Sequence, residues 1–193
     1  FPQIDTRPLS CQDPPMLRRF ALAALLALTL APALNLAADQ AVQPMFTVSF
    51  AAGARPEAVT GMVYVAISRV NERQTPVRQA GPVGAPLFSV AVTDLAPGSE
   101  VRFNPAVQGH PVATLGQLPA GEYWVQPFVN VYTRFPRADG HTVWLHMDQW
   151  EGQDWRTSPG NLFGDPVKVT VNPAAGSPIR LVADKVIPPI TPP

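Results

Sequence analysis

Proline constrains the fold of this chain more than any other residue type. It occurs 24 times in 193 residues, far above the usual share of about 5%. Each proline lacks a backbone N–H donor and interrupts helices, so prolines concentrate in turns and at strand edges. The sequence therefore predicts a loop-rich β protein rather than a helical one.

Short segments between the prolines alternate apolar and polar residues, which is the pattern of half-buried strands. Phe46, Val48 and Phe50, for example, alternate with Thr47 and Ser49. The predicted strands are 46–50, 62–68, 87–92, 101–103, 122–132, 142–148, 167–171 and 179–182. About eight strands separated by turns, with no helix after an N-terminal signal helix, predict an all-β fold, an immunoglobulin- or fibronectin-like β-sandwich.

Two features near the longest predicted strand make this prediction more specific. The segment Leu118-Pro119-x-Gly121-x-Tyr123 resembles a tyrosine corner, in which the hydroxyl binds backbone a few residues upstream. Pro127 lies inside the strand 122–132 and cannot donate a ladder hydrogen bond. It therefore predicts an edge position or a bulge.

The segment 16–38 follows the pattern of a secretory signal peptide. Arg18 and Arg19 precede an uncharged apolar run, 20–30, and the small residues Ala37 and Ala38 follow it. The run is shorter than the roughly 20 residues of a membrane span, although an uncleaved anchor or a buried helix remains the alternative. We therefore predict export to the periplasm or the medium, with membrane contact only during export through the signal peptide.

These features divide the chain into four predicted parts. Residues 1–15 are interpreted as read-through upstream of the start at Met16, and 16–38 as the signal peptide. Residues 39–186 form the sandwich, and 187–193 begin a proline-rich linker.

Composition excludes several classes of function. Cys11 is the one cysteine and lies before the predicted mature start, which excludes disulfides and thiolate sites from the mature chain. Lys+Arg and Asp+Glu both number 14. After the signal segment the only lysines are Lys168 and Lys185, and the arginines are scattered. Without a basic excess we predict no nucleic-acid partner.

The residues show no catalytic or metal-binding pattern. There is no G-x-S-x-G motif, and Pro159 after Ser158 cannot supply an oxyanion-hole N–H. On a strand, His146 and Asp148 would share one face with His141 on the other, which gives two zinc ligands where three or four are needed. We predict no catalytic residue, metal or cofactor. A calcium site remains the alternative, with its candidate ligands in the loops: Asp139, Asp148, Glu151 and Asp154.

A tryptophan-rich stretch is the strongest candidate for a binding surface. Trp144, Trp150 and Trp155 lie close in sequence with amides and carboxylates between them, and Asn161 follows. These side chains fit three uses: anchoring a long loop, contacting a neighbouring domain, or binding a glycan or other ligand.

Essentially the whole predicted mature chain resembles a known family, and the quoted residues that carry the resemblance lie between 118 and 190. The run FVNVYTRFPRADGHTVWLHMDQWEGQDWRTSPGNLF, with LPAGEYWVQ before it and RLVADKVIPPI after it, is similar to the N-terminal β-rich region of secreted bacterial esterases. In that family this region precedes an α/β-hydrolase domain of the enterochelin-esterase-like kind, which carries the nucleophile, acid and histidine. The resemblance thus implies a non-catalytic N-terminal accessory domain of an exported hydrolase, whose partner is the downstream α/β-hydrolase domain of the same polypeptide. The alternative is a free-standing secreted module that binds a glycan or peptide with the tryptophan-rich loop.

Overall fold

A computed structural model describes residues 43–172 and 177–191. The chain divides into two compact units, 1–39 and 40–193, and all the described residues belong to the second. The predicted signal peptide, 16–38, and the predicted read-through, 1–15, lie outside the described residues.

The regular secondary structure of the described part is almost entirely β-strand. The strands are β1 Phe46–Phe50, β2 Val59–Ser68, β3 Leu87–Leu95, β4 Val101–Phe103, β5 Gly109–His110, β6 Gly121–Val131, β7 Thr133–Pro136, β8 Thr142–Leu145, β9 Leu162–Phe163, β10 Val167–Val171, β11 Ile179–Ala183 and β12 Lys185–Val186. The helical elements are α1 Pro76–Gln79 and the 3-10 turns Leu115–Gln117 and Trp155–Thr157. None of these helices has the length and hydrophobicity needed to cross a membrane.

Two sheets form the sandwich. A three-stranded sheet has the order β11-β1-β4, with β1 parallel to β11 and antiparallel to β4. A seven-stranded sheet has the order β12-β9-β6-β2-β3-β5, and β10 also pairs with β6. The hairpin β7-β8 stands apart from both. The all-β sandwich is confirmed, and all eight predicted strands are present.

The main core lies between the two sheets. Alternate residues of a strand point to the same face of the sheet. In β2 this places Val63, Val65 and Ile67 on the face that points into the core, where they have no exposed surface. They pack with large side chains of the smaller sheet, such as Phe46 and Phe103. Each such side chain contributes about 1.5–3 kcal/mol when it leaves water, so this alternation accounts for the pairing of the sheets.

Of the two alternatives predicted from Pro127, an edge position and a bulge, the edge is wrong and the bulge is confirmed. Strand β6 lies inside the large sheet, with β2 on one side and both β10 and β9 on the other. The register on that side shifts by one residue between the Phe128–Phe163 pair and the Val125–Val167 pair, which is a bulge opposite Pro127.

Gly164 donates its N–H to the Pro127 carbonyl at 3.1 Å, and the Gln126 Nε2 donates to the Gly164 carbonyl at 3.0 Å in place of the N–H that proline lacks. A Cβ at Gly164 would overlap the Pro127 ring, so the turn at this bulge requires glycine.

The predicted tyrosine corner is present. The Tyr123 hydroxyl donates to the Pro119 carbonyl at 2.9 Å and accepts from Arg69 at 2.9 Å. The Arg69 guanidinium also lies 4.6 Å from the centroid of the Tyr123 ring, within cation–π range. These contacts fix the start of β6 and therefore its register against β2.

The predicted strand 142–148 is too long. Strand β8 ends at Leu145, and His146 and Asp148 leave the strand for side-chain contacts within the following loop. The prediction that His146 and Asp148 share one strand face is therefore wrong, because neither residue belongs to a strand. Four short strands were also missed, because two to four residues are too few for a period to show in the sequence: β5, β7, β9 and β12.

Candidate functional site

The face of the large sheet that points away from the main core carries a second apolar cluster. Its buried members are Ala66, Val77 and Phe128, and its partly buried members are Tyr64, Leu87, Trp155, Phe163 and Ile187. Helix α1, the loop 146–161 and the C-terminal segment 184–191 cover this face. We call these three segments the outer layer. All four predicted site residues lie in it or in the hairpin that leads to it.

Trp155 fastens the long loop to the sheet. Its ring stacks on Tyr64 with centroids 4.7 Å apart and an interplanar angle of 23°. It also meets Phe128 edge-on at 5.2 Å and 73°. Both geometries are favoured for aromatic pairs. Of the three uses predicted for the tryptophans, Trp155 therefore serves loop anchoring, and both ring contacts are internal.

Asn161 is also an internal fastening. It is 1% exposed, and its Oδ1 accepts the Val131 backbone N–H at 2.8 Å. Its Nδ2 donates to the Asn130 Oδ1 at 3.1 Å and to the Trp155 carbonyl at 2.7 Å. Both amide hydrogens are thus used within the protein, and Asn161 holds the loop rather than facing a groove.

A buried contact between His146 and Glu151 closes the first turn of the loop. His146 Nε2 lies 2.8 Å from Glu151 Oε1, and the two side chains are only 15% and 1% exposed. His146 Nδ1 lies 3.1 Å from the Asn130 Oδ1, which already accepts from Asn161. Both ring nitrogens therefore face side-chain oxygens. The other Glu151 oxygen accepts the Gln149 backbone N–H at 2.5 Å.

Ser158 has no base beside it. It is 1% exposed, and its hydroxyl is approached by the Gln149 amide at 3.5 Å. His146 is the histidine of this loop, and both of its nitrogens are already committed to Asn130 and Glu151. A nucleophile needs a base within hydrogen-bond reach, and within the described residues no histidine makes a hydrogen bond to Ser158.

The four carboxylates proposed for calcium do not converge, although the side chains of Asp148 and Glu151 contact each other. Glu151 pairs with His146, and Asp139 pairs with Arg137 at 3.0 Å. Asp154 binds Arg156 at 2.7 Å; burial alone would raise the pKa of Asp154, but hydrogen bonds and charge from Arg156, with Arg78, lower it. Within 43–172 and 177–191, no three metal-ligating side chains converge.

Trp150 is held out in water. Its side chain is 94% exposed and its φ is +78°, a left-handed conformation that is unusual for a bulky residue. The Trp150 N–H donates to Asp148 Oδ1 at 3.0 Å, while Glu151 ties down the residue before it. The loop therefore fixes the backbone that projects this indole.

A groove of about 600 Å³ lies beside Trp150. Its apolar walls include Met147, Val186 and Ile190, which are 39%, 45% and 44% exposed, and Asp148 and Gln149 add polar groups. We call it the Trp150 groove. Trp144 is 40% exposed on β8 and is not among the groove's lining residues.

The structure thus separates the predicted site residues. In the described part of the chain, no ring contact joins Trp144, Trp150 and Trp155 to one another. The sequence did not predict the His146–Glu151 pair, because the two residues lie five apart with no strand or helix period between them. One wall of the Trp150 groove was missed as well. Residues 187–190 were interpreted as a linker, yet Ile187 exchanges backbone hydrogen bonds with Gly160 and Asn161 at 2.9 Å each.

Comparison with known proteins leaves the family open. No protein-family model, curated protein or solved structure matches this chain. The resemblance to secreted esterases therefore stays a prediction, and function must be argued from the geometry.

The anchoring and projecting roles of the tryptophans predict opposite stability effects. Trp155→Ala removes the stack on Tyr64 and Phe128 and should lower the free energy of unfolding by about 3 kcal/mol. Trp150→Ala, the matched control, removes a solvated ring and should change it by less than about 0.5 kcal/mol. Urea unfolding followed by circular dichroism measures both. Equal losses in the two variants would contradict the assignment.

Replacing the carboxylate of Glu151 by an amide should lower the free energy of unfolding. Glu151→Gln replaces a carboxylate that contacts both His146 and the Gln149 N–H by an amide with one acceptor oxygen, and should destabilise the protein by about 2 kcal/mol, as expected when a buried hydrogen bond is lost. Glu57→Gln is the control, because Glu57 is 68% exposed and lies 3.8 Å from Arg55; exposed pairs contribute less than about 1 kcal/mol. An effect of Glu151→Gln no larger than the control would show that the pair does not hold the loop.

Proposed function

We propose that this chain is a non-catalytic N-terminal accessory domain of an exported hydrolase. In this proposal the Trp150 groove contacts the downstream α/β-hydrolase domain of the same polypeptide. Export rests on the signal-peptide pattern of 16–38, and the hydrolase context rests on the sequence resemblance.

The observation that carries the proposal is the exposure of Trp150 in a left-handed backbone. Backbone strain of this kind persists only where the surroundings impose it, and it often marks a functional contact. Asp148 and Glu151 impose it here through short hydrogen bonds. A solvated tryptophan beside Met147, Val186 and Ile190 is the type of aromatic and apolar surface that domain interfaces bury.

The position of the groove supports the same partner. Its wall is formed by the C-terminal segment, where Val186, Ile187 and Ile190 lie against the loop. A domain that continues from this segment would begin beside the groove, since Ile187 and Ile190 line it. The commitment of both His146 nitrogens away from Ser158 supports a role without catalysis.

A second candidate is a free-standing glycan- or peptide-binding module. One observation favours it: the exposed Trp150 ring lies beside the carboxylate of Asp148 and the amide of Gln149. Apolar sugar faces stack on indoles while their hydroxyls take hydrogen bonds from such groups. Trp155 and Asn161 make no part of this surface, which leaves a single aromatic ring for the ligand.

Two experiments test the proposal: an esterase assay tests the non-catalytic role, and limited proteolysis tests the contact between the two domains. The reading frame beyond the codon for Pro193 should continue into an α/β-hydrolase domain that contains G-x-S-x-G. That longer polypeptide should hydrolyse p-nitrophenyl butyrate, whereas the present chain should not. Turnover by the present chain that Ser158→Ala abolishes would overturn the non-catalytic role.

Within the longer polypeptide, Trp150→Ala should make the segment 187–193 more sensitive to limited proteolysis, because the interdomain contact is weakened. Trp144→Ala is the matched control and should leave cleavage unchanged. A stop codon directly after Pro193 would refute the accessory role. Saturable glycan binding that Trp150→Ala abolishes would then favour the second candidate.

A further inference from the structure

A second groove lies beside the C-terminal segment and shares Ile187 and Pro188 with the Trp150 groove. Its volume is about 370 Å³, which is within the usual range of small-molecule sites, about 300–1,000 Å³. We call it the arginine groove, after the side chains at its rim. It is independent of the proposed function.

The floor of the arginine groove is apolar. Val77 from α1 and Phe128 from β6 are 3% and 2% exposed, and Phe163 and Ile187 are partly buried beside them. These side chains belong to the outer-layer cluster, so the floor is fixed by packing rather than by a mobile loop. A short aliphatic or aromatic group that binds to this floor is removed from water. The gain in free energy is proportional to the apolar area that is covered.

Two guanidinium groups line the groove, and a third lies in a depression that adjoins it. Arg78 and Arg156 line the groove itself, and they line an adjoining depression of about 470 Å³ together with Arg73. Thr75 lines both spaces, so the depression continues the groove.

These guanidinium groups are only partly neutralised. Asp154 pairs with Arg156 at 2.7 Å and with Arg78 at 3.4 Å. Arg73 has no ion pair among the described residues, and Glu72 beside it lines a further depression without forming one. An excess of positive charge therefore remains at one place in a chain whose formal net charge is zero.

The free donors also point to an anion. Arg156 uses its Nε on Asp154 and its Nη1 on the Ala80 carbonyl at 3.1 Å, and Arg78 uses one Nη1 on Asp154. The Nη2 of Arg156, the Nε and Nη2 of Arg78 and the whole of Arg73 form no hydrogen bond within the described part of the chain. Guanidinium groups bind carboxylate and phosphate oxygens through paired N–H donors.

We propose that the arginine groove binds a small amphiphilic anion. Its head group, a carboxylate or a phosphate, is held by Arg73 and Arg78. Its apolar tail lies on the floor formed by Val77, Phe163 and Ile187. The site binds and does no chemistry, since no histidine, carboxylate or cysteine lines it to activate the hydroxyls of Thr75 and Thr157.

Titration of the full chain, labelled with ¹⁵N, tests this proposal by NMR. Octanoate and octyl phosphate are the two probes, 1-octanol carries the tail without the charge, and acetate carries the charge without the tail. We expect both anionic probes to shift the amides of Val77, Phe163 and Ile187. The tighter anionic probe should bind at least about tenfold better than octanol or acetate. The better of the two anions identifies the head group.

Substitutions separate specific binding from general hydrophobic contact. The double variant Arg73→Gln with Arg78→Gln should weaken the better anionic probe at least about tenfold and leave octanol unchanged. Arg102→Gln, an exposed site on β4, is the matched control and should change neither. Thermal melting verifies that the variants fold. Anionic probes that bind no better than octanol, shifts that map outside the groove, or binding that the double variant retains would each overturn the proposal.

Discussion

The outer layer depends on the buried pair between His146 and Glu151. Glu151 contacts the imidazole and accepts the Gln149 N–H, while His146 reaches Asn130 on β6. These contacts connect the two ends of one loop turn and join the turn to the sheet. They fix one geometry, because any other arrangement would leave buried polar groups without hydrogen-bond partners. That geometry sets the direction of Trp150.

The two grooves follow from this arrangement. The C-terminal segment lies against the loop through Ile187, and a depression remains on each side of it. One depression presents tryptophan and other apolar side chains, and the other combines an apolar floor with arginines. In the proposed function the first contacts a catalytic domain, and the second is free for a small anion. The sandwich supplies the rigid support, and the outer layer carries the surfaces that recognise other molecules.

Sequence alone predicted the sandwich well, because alternation in strands such as β1 and β10 is local and survives in the sequence. The Tyr123 corner was predictable for the same reason, since its partner Pro119 lies four residues away. Pro127 predicted an edge or a bulge, and the bulge is present between β9 and β10, but the sequence could not show which of the two applies. The sequence could not distinguish the roles of Trp155, Trp150 and Asn161. Tertiary packing anchors Trp155 on the sheet, exposes Trp150 and buries Asn161. No local pattern could have joined His146 to Glu151 or gathered Arg73, Arg78 and Arg156.

Hydrogen exchange of individual amides tests the central claim, that the loop and the C-terminal segment form an ordered layer on the sheet. Exchange reports the free energy of local opening. We expect slow exchange for three N–H groups that donate hydrogen bonds within the outer layer. Gln149 donates to Glu151, Gly160 donates to Ile187, and Ile187 donates to Asn161. We expect fast exchange at Gly152, which is exposed and makes no backbone hydrogen bond in the described part of the chain. If Gln149 and Ile187 exchange as fast as Gly152, the outer layer is not formed, and neither groove exists as described.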